Sequence, residues 1–233
     1  MVPFSFAGEA MLLAAGRAVY WPREQALLVA DLHLEKASFF ARHGQFLPPY
    51  DSRETLERVA LAIRETGARR VITLGDNFHD PDGAARLDPH VCGMLQALTR
   101  AVHWVWITGN HDGPATSGAA ECGGERVEEL QLGRAVLRHI ARAGEVRPEM
   151  SGHFHPRVQV RVGRRRISRP CAVLACARDG AERLVLPAFG TLTGGMAAND
   201  PAIIKALQPA EKISAVLRAG DKLVQFRLWE RNA

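Results

Sequence analysis

Short apolar runs that stop abruptly at polar residues recur along this 233-residue chain. Residues 26–30 run into Asp31-Leu32-His33, and residues 71–74 into Gly75-Asp76-Asn77-Phe78-His79-Asp80. Residues 104–107 run through Thr108 into Gly109-Asn110-His111-Asp112, and Met150-Ser151-Gly152 leads to His153-Phe154-His155. Runs of this length, bounded by glycine and polar residues, predict fully buried strands. Two amphipathic stretches lie between them. Asp51, with Glu54 three residues on, predicts a capping box. The helix it opens carries Leu56, Val59, Ala60 and Ile63 on one face and ends at Gly67. Asp88-Pro89 predicts a second helix, with Val91, Met94, Leu95 and Leu98 on one face. Strand, helix, strand, helix, strand argues for parallel pairing.

The flanks read differently. Residues 11–15 and 18–21 predict strands joined at Gly16-Arg17. Residues 113–124, rich in Gly, Ala, Ser and Thr, predict an exposed loop. Residues 134–139, 158–162, 171–177 and 183–187 then predict strands, with hairpin turns at Gly163 and Asp179-Gly180. A mostly parallel half and a mostly antiparallel half make two packed sheets with outer helices. Without an internal repeat, a low-complexity tract or a linker, one domain over residues 1–233 is expected.

Composition changes this picture little. At 47% hydrophobic and 24% charged residues, the chain has ample material for a core. No apolar run reaches the length of a membrane span, and the first residues do not read as a signal peptide. Four cysteines form no Cys-x-x-Cys pair and stand beside nine histidines, which favours a reduced, cytoplasmic protein that uses imidazole rather than thiolate. The net charge of +5 and pI of about 9.4 suit an anionic partner.

The polar strand ends carry the chemistry. In open α/β sheets, ligands bind beyond the carboxyl ends of the strands. Two divalent ions there need a bridging carboxylate, further O and N ligands, and open positions for water and substrate. Asp31 and His33 stand at i and i+2 and can share one side of a crevice. Asp76, following a glycine, is the natural bridge, and Asn110 offers an amide oxygen. His153 and His155 can each reach a different ion, and His139, at the end of its own strand, can complete the second site. His103 begins a strand and so faces the wrong edge. Taken singly, Asp-x-His or Asn-His-Asp is more often a turn. Four such ends in order, each after a strand, are specific.

Asp31-x-His33, Gly75-Asp76, Gly109-Asn110-His111-Asp112, His139 and Gly152-His153-x-His155 resemble the five motifs of the binuclear metallophosphoesterases. Gly75-Asp76-x-x-His79 is similar to the nuclease branch. Residues 29–36, Leu47-Pro48-Pro49-Tyr50-Asp51, residues 75–80, and Leu186-Pro187-Ala188-Phe189-Gly190 with Thr193-Gly194-Gly195 resemble the ligase-associated DNA-damage-response endonucleases, over nearly the whole chain. The resemblance implies a four-layer α/β/β/α sandwich, two packed mixed sheets flanked by helices. It implies a first metal on Asp31, His33, Asp76 and His155, a second on Asp76, Asn110, His139 and His153, and His111 on the phosphate. A bridging water activated by both cations then attacks phosphorus in line. Manganese is the expected ion, with Fe, Zn and Co open. The expected substrate is DNA, single-stranded or flexible, cut as by an endonuclease in repair beside a DNA ligase, a helicase and a second nuclease. A homodimer is left open.

Other residues keep two readings. The hairpin over residues 161–169, with Arg164, Arg165 and Arg166, either binds phosphate or protects a sheet edge. Residues 190–195 either form a turn that caps a strand or, as the resemblance favours, pack beneath or beside the metals. His79 either supports a ligand or touches substrate. Lys36 and Arg42 follow the first ligands and either meet phosphate or, by default, stand exposed. Two rival functions use the same site: a small-molecule phosphodiesterase or phosphomonoesterase, and a metal-bound non-catalytic DNA-repair scaffold.

Overall fold

The computed structural model describes residues 1–14, 17–113 and 122–231. Within them the chain builds four layers. In the first sheet, β1 (Val2–Phe6), β2 (Glu9–Leu13), β3 (Val19–Trp21) and β4 (Ala26–Val29) form an antiparallel meander. β5 (Arg70–Leu74), β6 (His103–Ile107) and β7 (Glu125–Val127) continue from β4 in parallel. The second sheet runs in the order β16 (Lys222–Glu230), β15 (Lys212–Ala219), β13 (Ala172–Cys176), β14 (Glu182–Val185), β10 (Glu149–Ser151), β9 (Ala135–Arg138) and β8 (Glu129–Leu132). Only β14, β10 and β9 are parallel there. Both sheets are mixed, as expected.

Strand alternation explains the layers. Leu28, Ile72, Leu74, Val105 and Ile107 point from the first sheet into the space between the sheets, against Leu137, Met150, Leu184, Leu186 and Val216. Their neighbours Leu27, Val29, Val71, Trp104 and Trp106 point the other way, under α2 (Asp51–Thr66) and α3 (Pro89–Ala101). Strands buried on both faces read as unbroken apolar runs. On the far side of the second sheet, Val173, Val185, Ile213 and Ala215 pack beneath Ile203 and Leu207 of α4 (Pro201–Ala206) and the residue that follows it. Among the described residues no helix is long and apolar enough to cross a membrane.

Several local expectations meet the structure differently. The capping box at Asp51 does not form: Asp51 is already inside α2, Tyr50 takes the cap position, and the Asp51 carboxylate accepts the Ala37 amide at 3.1 Å. The tertiary bond outcompetes the local one. Gly67 ends the helix in a left-handed conformation (φ 67°), and Asp88 caps α3 through the His90 amide at 2.8 Å. Lys36 and Arg42 bound a seven-residue helix, α1 (Lys36–Arg42), too short for its period to be read. Ala15, Gly16 and residues 114–121, within the expected first turn and the Gly-rich loop, lie outside the described residues. The basic hairpin is a separate two-stranded ribbon, β11 (Arg157–Val162) with β12 (Arg165–Pro170), rather than an edge of either sheet.

Candidate metal centre

The parallel strands end on one side, and their pairing continues past the strands proper. The amides of Asp31, His33 and Leu34 donate to the carbonyls of Gly75, Asp76 and Asn77 at 3.2, 2.9 and 2.9 Å. In the second sheet, Gly152 donates to His139 O at 2.9 Å and Leu186 to Ser151 O at 2.7 Å. The chain beyond β14 then crosses to the first sheet, where Phe189 donates to Ala30 O at 2.8 Å and Gly190 to Asp31 O at 3.2 Å. The two sheets are therefore joined where their polar loops meet.

Asp31, His33, Asp76 and His155 each place one ligand atom within 4.8 Å of the others, and so do Asp76, His139 and His153. Asp76 belongs to both groups. His139 Nε2 lies 3.3 Å from Asp76 Oδ1, 2.9 Å from Asn110 Oδ1 and 3.1 Å from His153 Nδ1. His33 Nε2 lies 3.2 Å from His155 Nε2 and 3.7 Å from Asp76 Oδ2. Asp31 and His33 do share one side of this group, but not through the alternation of an extended strand. Asp31, His33, Asp76, His153 and His155 all lie beyond their strands with positive φ, from 44° to 73°. Left-handed backbone, which non-glycine residues rarely adopt, turns these side chains inward.

Glycines make room for this arrangement. A Cβ on Gly75 (φ 79°) would collide with the His139 ring, and one on Gly109 with the amide and carboxylate of Asp76. Asp31 is wholly buried and Asp76 nearly so, while His111 has 41% of its side chain exposed. Carboxylates form the floor, and His111 stands at the mouth.

The donor set fits a pair of divalent cations. Asp31 and Asp76 are buried acids with no lysine or arginine within ion-pair distance among the described residues. Two such charges are costly to bury without compensation. Backbone amides supply part of it: His153 N donates to both Asp31 oxygens at 3.0 Å, and His111 N to Asp76 Oδ1 at 3.0 Å. Two of the imidazoles are held away from the cationic form. Burial, aided by the charges of His155 and Lys36, holds His33 down to about pKa 2, and burial beside His139 lowers His153. His139 Nδ1–H donates to Leu74 O at 2.9 Å, which turns Nε2 toward the oxygens of Asn110 and Asp76. Acceptors facing acceptors around buried carboxylates suit metal cations.

His111 is held differently. Its Nδ1–H donates to the carbonyl of His79 at 2.8 Å, leaving Nε2 toward the centre, 3.9 Å from Asp76 Oδ2. His79 stacks on His111 (ring centroids 5.5 Å apart) and on Phe40 (5.6 Å), and its Nδ1 lies 3.5 Å from His33 Nδ1. Burial, then Lys36, lowers His79 to about pKa 4. His79 therefore lies against both His33 and His111. Arg164, Arg165 and Arg166 are exposed at the ribbon's tip and belong to none of these groups. His103 starts β6 at the opposite end, exposed and 3.4 Å from Glu125.

Sequence reasoning missed Asp112. Its carboxylate accepts the amides of Asn77 (2.9 Å), Phe78 (3.0 Å) and Gly109 (2.8 Å) and the Asn77 side-chain amide (2.8 Å). It clamps the loop of Asp76 to the loop of Asn110 and His111. Its place in Asn-His-Asp reads equally as an ordinary turn residue.

Residues 25–157 match the family model of the calcineurin-like phosphoesterases. The structure of the Pseudomonas putida nuclease MPE is similar, with 29% identity, coverage of 91% of this chain and 95% of that one, and a TM-score of 0.68. A protein of unknown function from Aquifex aeolicus has 14% identity, covers 56% of this chain and 78% of its own, and gives a TM-score of 0.41. Among curated proteins nothing matches.

Proposed function

Because this chain belongs to the calcineurin-like phosphoesterases, a family with a binuclear metal site, we propose that it is a manganese-dependent DNA endonuclease. It forms one metallophosphoesterase domain over residues 1–233 and cuts single-stranded or flexible DNA in the cytoplasm. The resemblance to the ligase-associated endonucleases supports a place in repair beside a ligase, a helicase and a second nuclease. The observation that carries the nuclease reading is the likeness to the P. putida nuclease, at 29% identity over 91% of the chain. The choice of manganese rests on a donor set of imidazoles, carboxylates and one amide, without thiolate.

Asp31, His33, Asp76 and His155 would hold one ion, and Asp76, Asn110, His139 and His153 the other. When bound, the ions supply Lewis acidity toward the phosphoryl oxygens and a nucleophilic water near neutral pH. The chain does the positioning. Asp76 ties the two sites together, and the Leu74 carbonyl fixes the ligating face of His139. The His79 carbonyl keeps His111 Nε2 at the mouth, where that atom holds or releases the proton the leaving oxygen needs.

Purified protein with Mn²⁺ is offered circular single-stranded DNA, linear duplex and a chromogenic phosphodiester. Cutting of the circle establishes an endonuclease. Hydrolysis of the chromogenic ester with both DNAs left intact would instead favour a small-molecule phosphodiesterase. Replacing Mn²⁺ by Mg²⁺, Fe²⁺, Zn²⁺ or Co²⁺ tests the metal.

A further inference from the structure

A cavity opens at the metal end of the sandwich. It measures about 430 Å³, and its polar lining is Arg17, Arg169 and Arg218. Leu13, Pro170, Pro187 and Val216 give it an apolar wall. Strand register fixes its position. Leu13 pairs with Val19 and Val19 with Leu28, close to where β4 leads to Asp31. Val216 pairs with Ala172, next to Val173, which pairs with Val185 at the end of β14. The segment 187–190 touches both the cavity and the metal loops. One edge of it lines the cavity through Pro187, and the other pairs with Ala30 and Asp31.

The positive charge here is largely unanswered. Arg17 donates to Ala188 O at 2.9 Å, and among the described residues neither Arg17 nor Arg169 has a carboxylate within ion-pair distance. Arg218 has only Asp221, 3.6 Å away and almost wholly exposed. Burial, with Arg58 and Arg157 nearby, lowers Arg17 to about pKa 10. Arg58 itself lies over the Phe189 ring of that segment, 4.9 Å from its centroid. No carboxylate stands among the described residues lining the cavity, so an anion would stabilise its guanidinium groups, whose planar forks match phosphate. Beside them an apolar wall suits a sugar and a base.

We propose that this cavity is a nucleotide subsite for the strand lying across the metals. Its arginines hold a phosphate flanking the scissile one, and its wall faces the adjoining sugar and base. This rests on the nuclease reading and adds to it a reason for preferring a polymer to a small ester.

The test uses the metal-loaded full chain and the Arg169→Gln/Arg218→Gln variant. The readout is the ratio of kcat/KM for an oligothymidylate to that for bis(p-nitrophenyl) phosphate, at about 50 and about 200 mM salt, a range over which phosphate contacts are known to weaken. A general folding defect cancels in the ratio. Each lost contact to a single strand reduces the salt slope by about 0.7, so two contacts separate variant from wild type by about sevenfold over this range. Arg169→Gln alone should show about half the change in slope. A wild-type slope in the double variant would overturn the cavity and leave the nuclease reading standing. A wild-type enzyme whose ratio ignores salt and oligonucleotide length would sink the nuclease reading and the cavity together.

Discussion

Replacing Asp112 by alanine tests whether the centre is built by its ligands alone or also by the clamp beneath them. The carboxylate accepts from four donors, the amides of Asn77, Phe78 and Gly109 and the side-chain amide of Asn77. Each donor left without an acceptor costs about 1–1.5 kcal/mol where water can partly return. The gross loss is then about 4–6 kcal/mol. Against it stands relief of the carboxylate's own burial, which raises its pKa and offsets about 1–2 kcal/mol. A net destabilisation of about 3 kcal/mol follows, which lowers Tm by about 6–12 °C in a chain of this size. Because the clamp joins the loops of Asp76 and His111, kcat on a chromogenic diester should also fall about 100-fold, the effect of misplacing a reacting group by about 1 Å. Asp112→Asn should recover little, since its amide nitrogen would face donors. Urea unfolding and steady-state kinetics read both effects. An alanine variant within about 1 kcal/mol of wild type, with turnover intact, would refute the clamp.

Four further outcomes are expected. Asp76→Ala removes the only carboxylate shared by both groups and should abolish hydrolysis of every phosphodiester; residual turnover of a simple chromogenic ester would argue against two metals sharing it. His111→Ala should depress kcat strongly while elemental analysis still finds both metals, because its Nδ1 is spent on the His79 carbonyl; loss of one equivalent would make His111 a ligand. Chelation should lower Tm by about 10–20 °C, since each of the two sites filled at about 100 times its Kd adds about 2.7 kcal/mol; an unchanged melting curve on returning Mn²⁺ would leave the centre without its metal. The Arg164→Ser/Arg165→Ser/Arg166→Ser variant should lose DNA cleavage relative to chromogenic-ester hydrolysis. Equal ratios across a salt series would remove the ribbon from the substrate path. Its register, with Arg161 directly opposite Arg166 and no acid paired with either among the described residues, already costs the free protein some repulsion.

The parallel core was legible because strands buried on both faces leave unbroken apolar runs, and β4, β5 and β6 fall close to where those runs stand. The C-terminal hairpin of β15 and β16 was less so: β16 alternates exposed and half-buried positions, and no turn signal stronger than Gly220-Asp221 divides the pair. β1 and α4 are too short to show a period. Within the centre, residue types were legible and conformation was not. Asp-x-His suggests alternation along a strand, yet Asp31, His33, Asp76, His153 and His155 are all left-handed. Aspartate and histidine enter that conformation more often than most residues, yet too seldom to predict it, because it costs roughly 1–2 kcal/mol per residue and survives where surrounding structure imposes it. Here the imposing structure is the pairing of residues 31–34 with 75–77 and the seam from Ser151 through Leu186 to Ala30. Glycine would relieve the backbone at all five positions. That carboxylate and imidazole stand there instead means the strain serves the side chains, holding the acceptors of five loop residues close enough together to take cations between them.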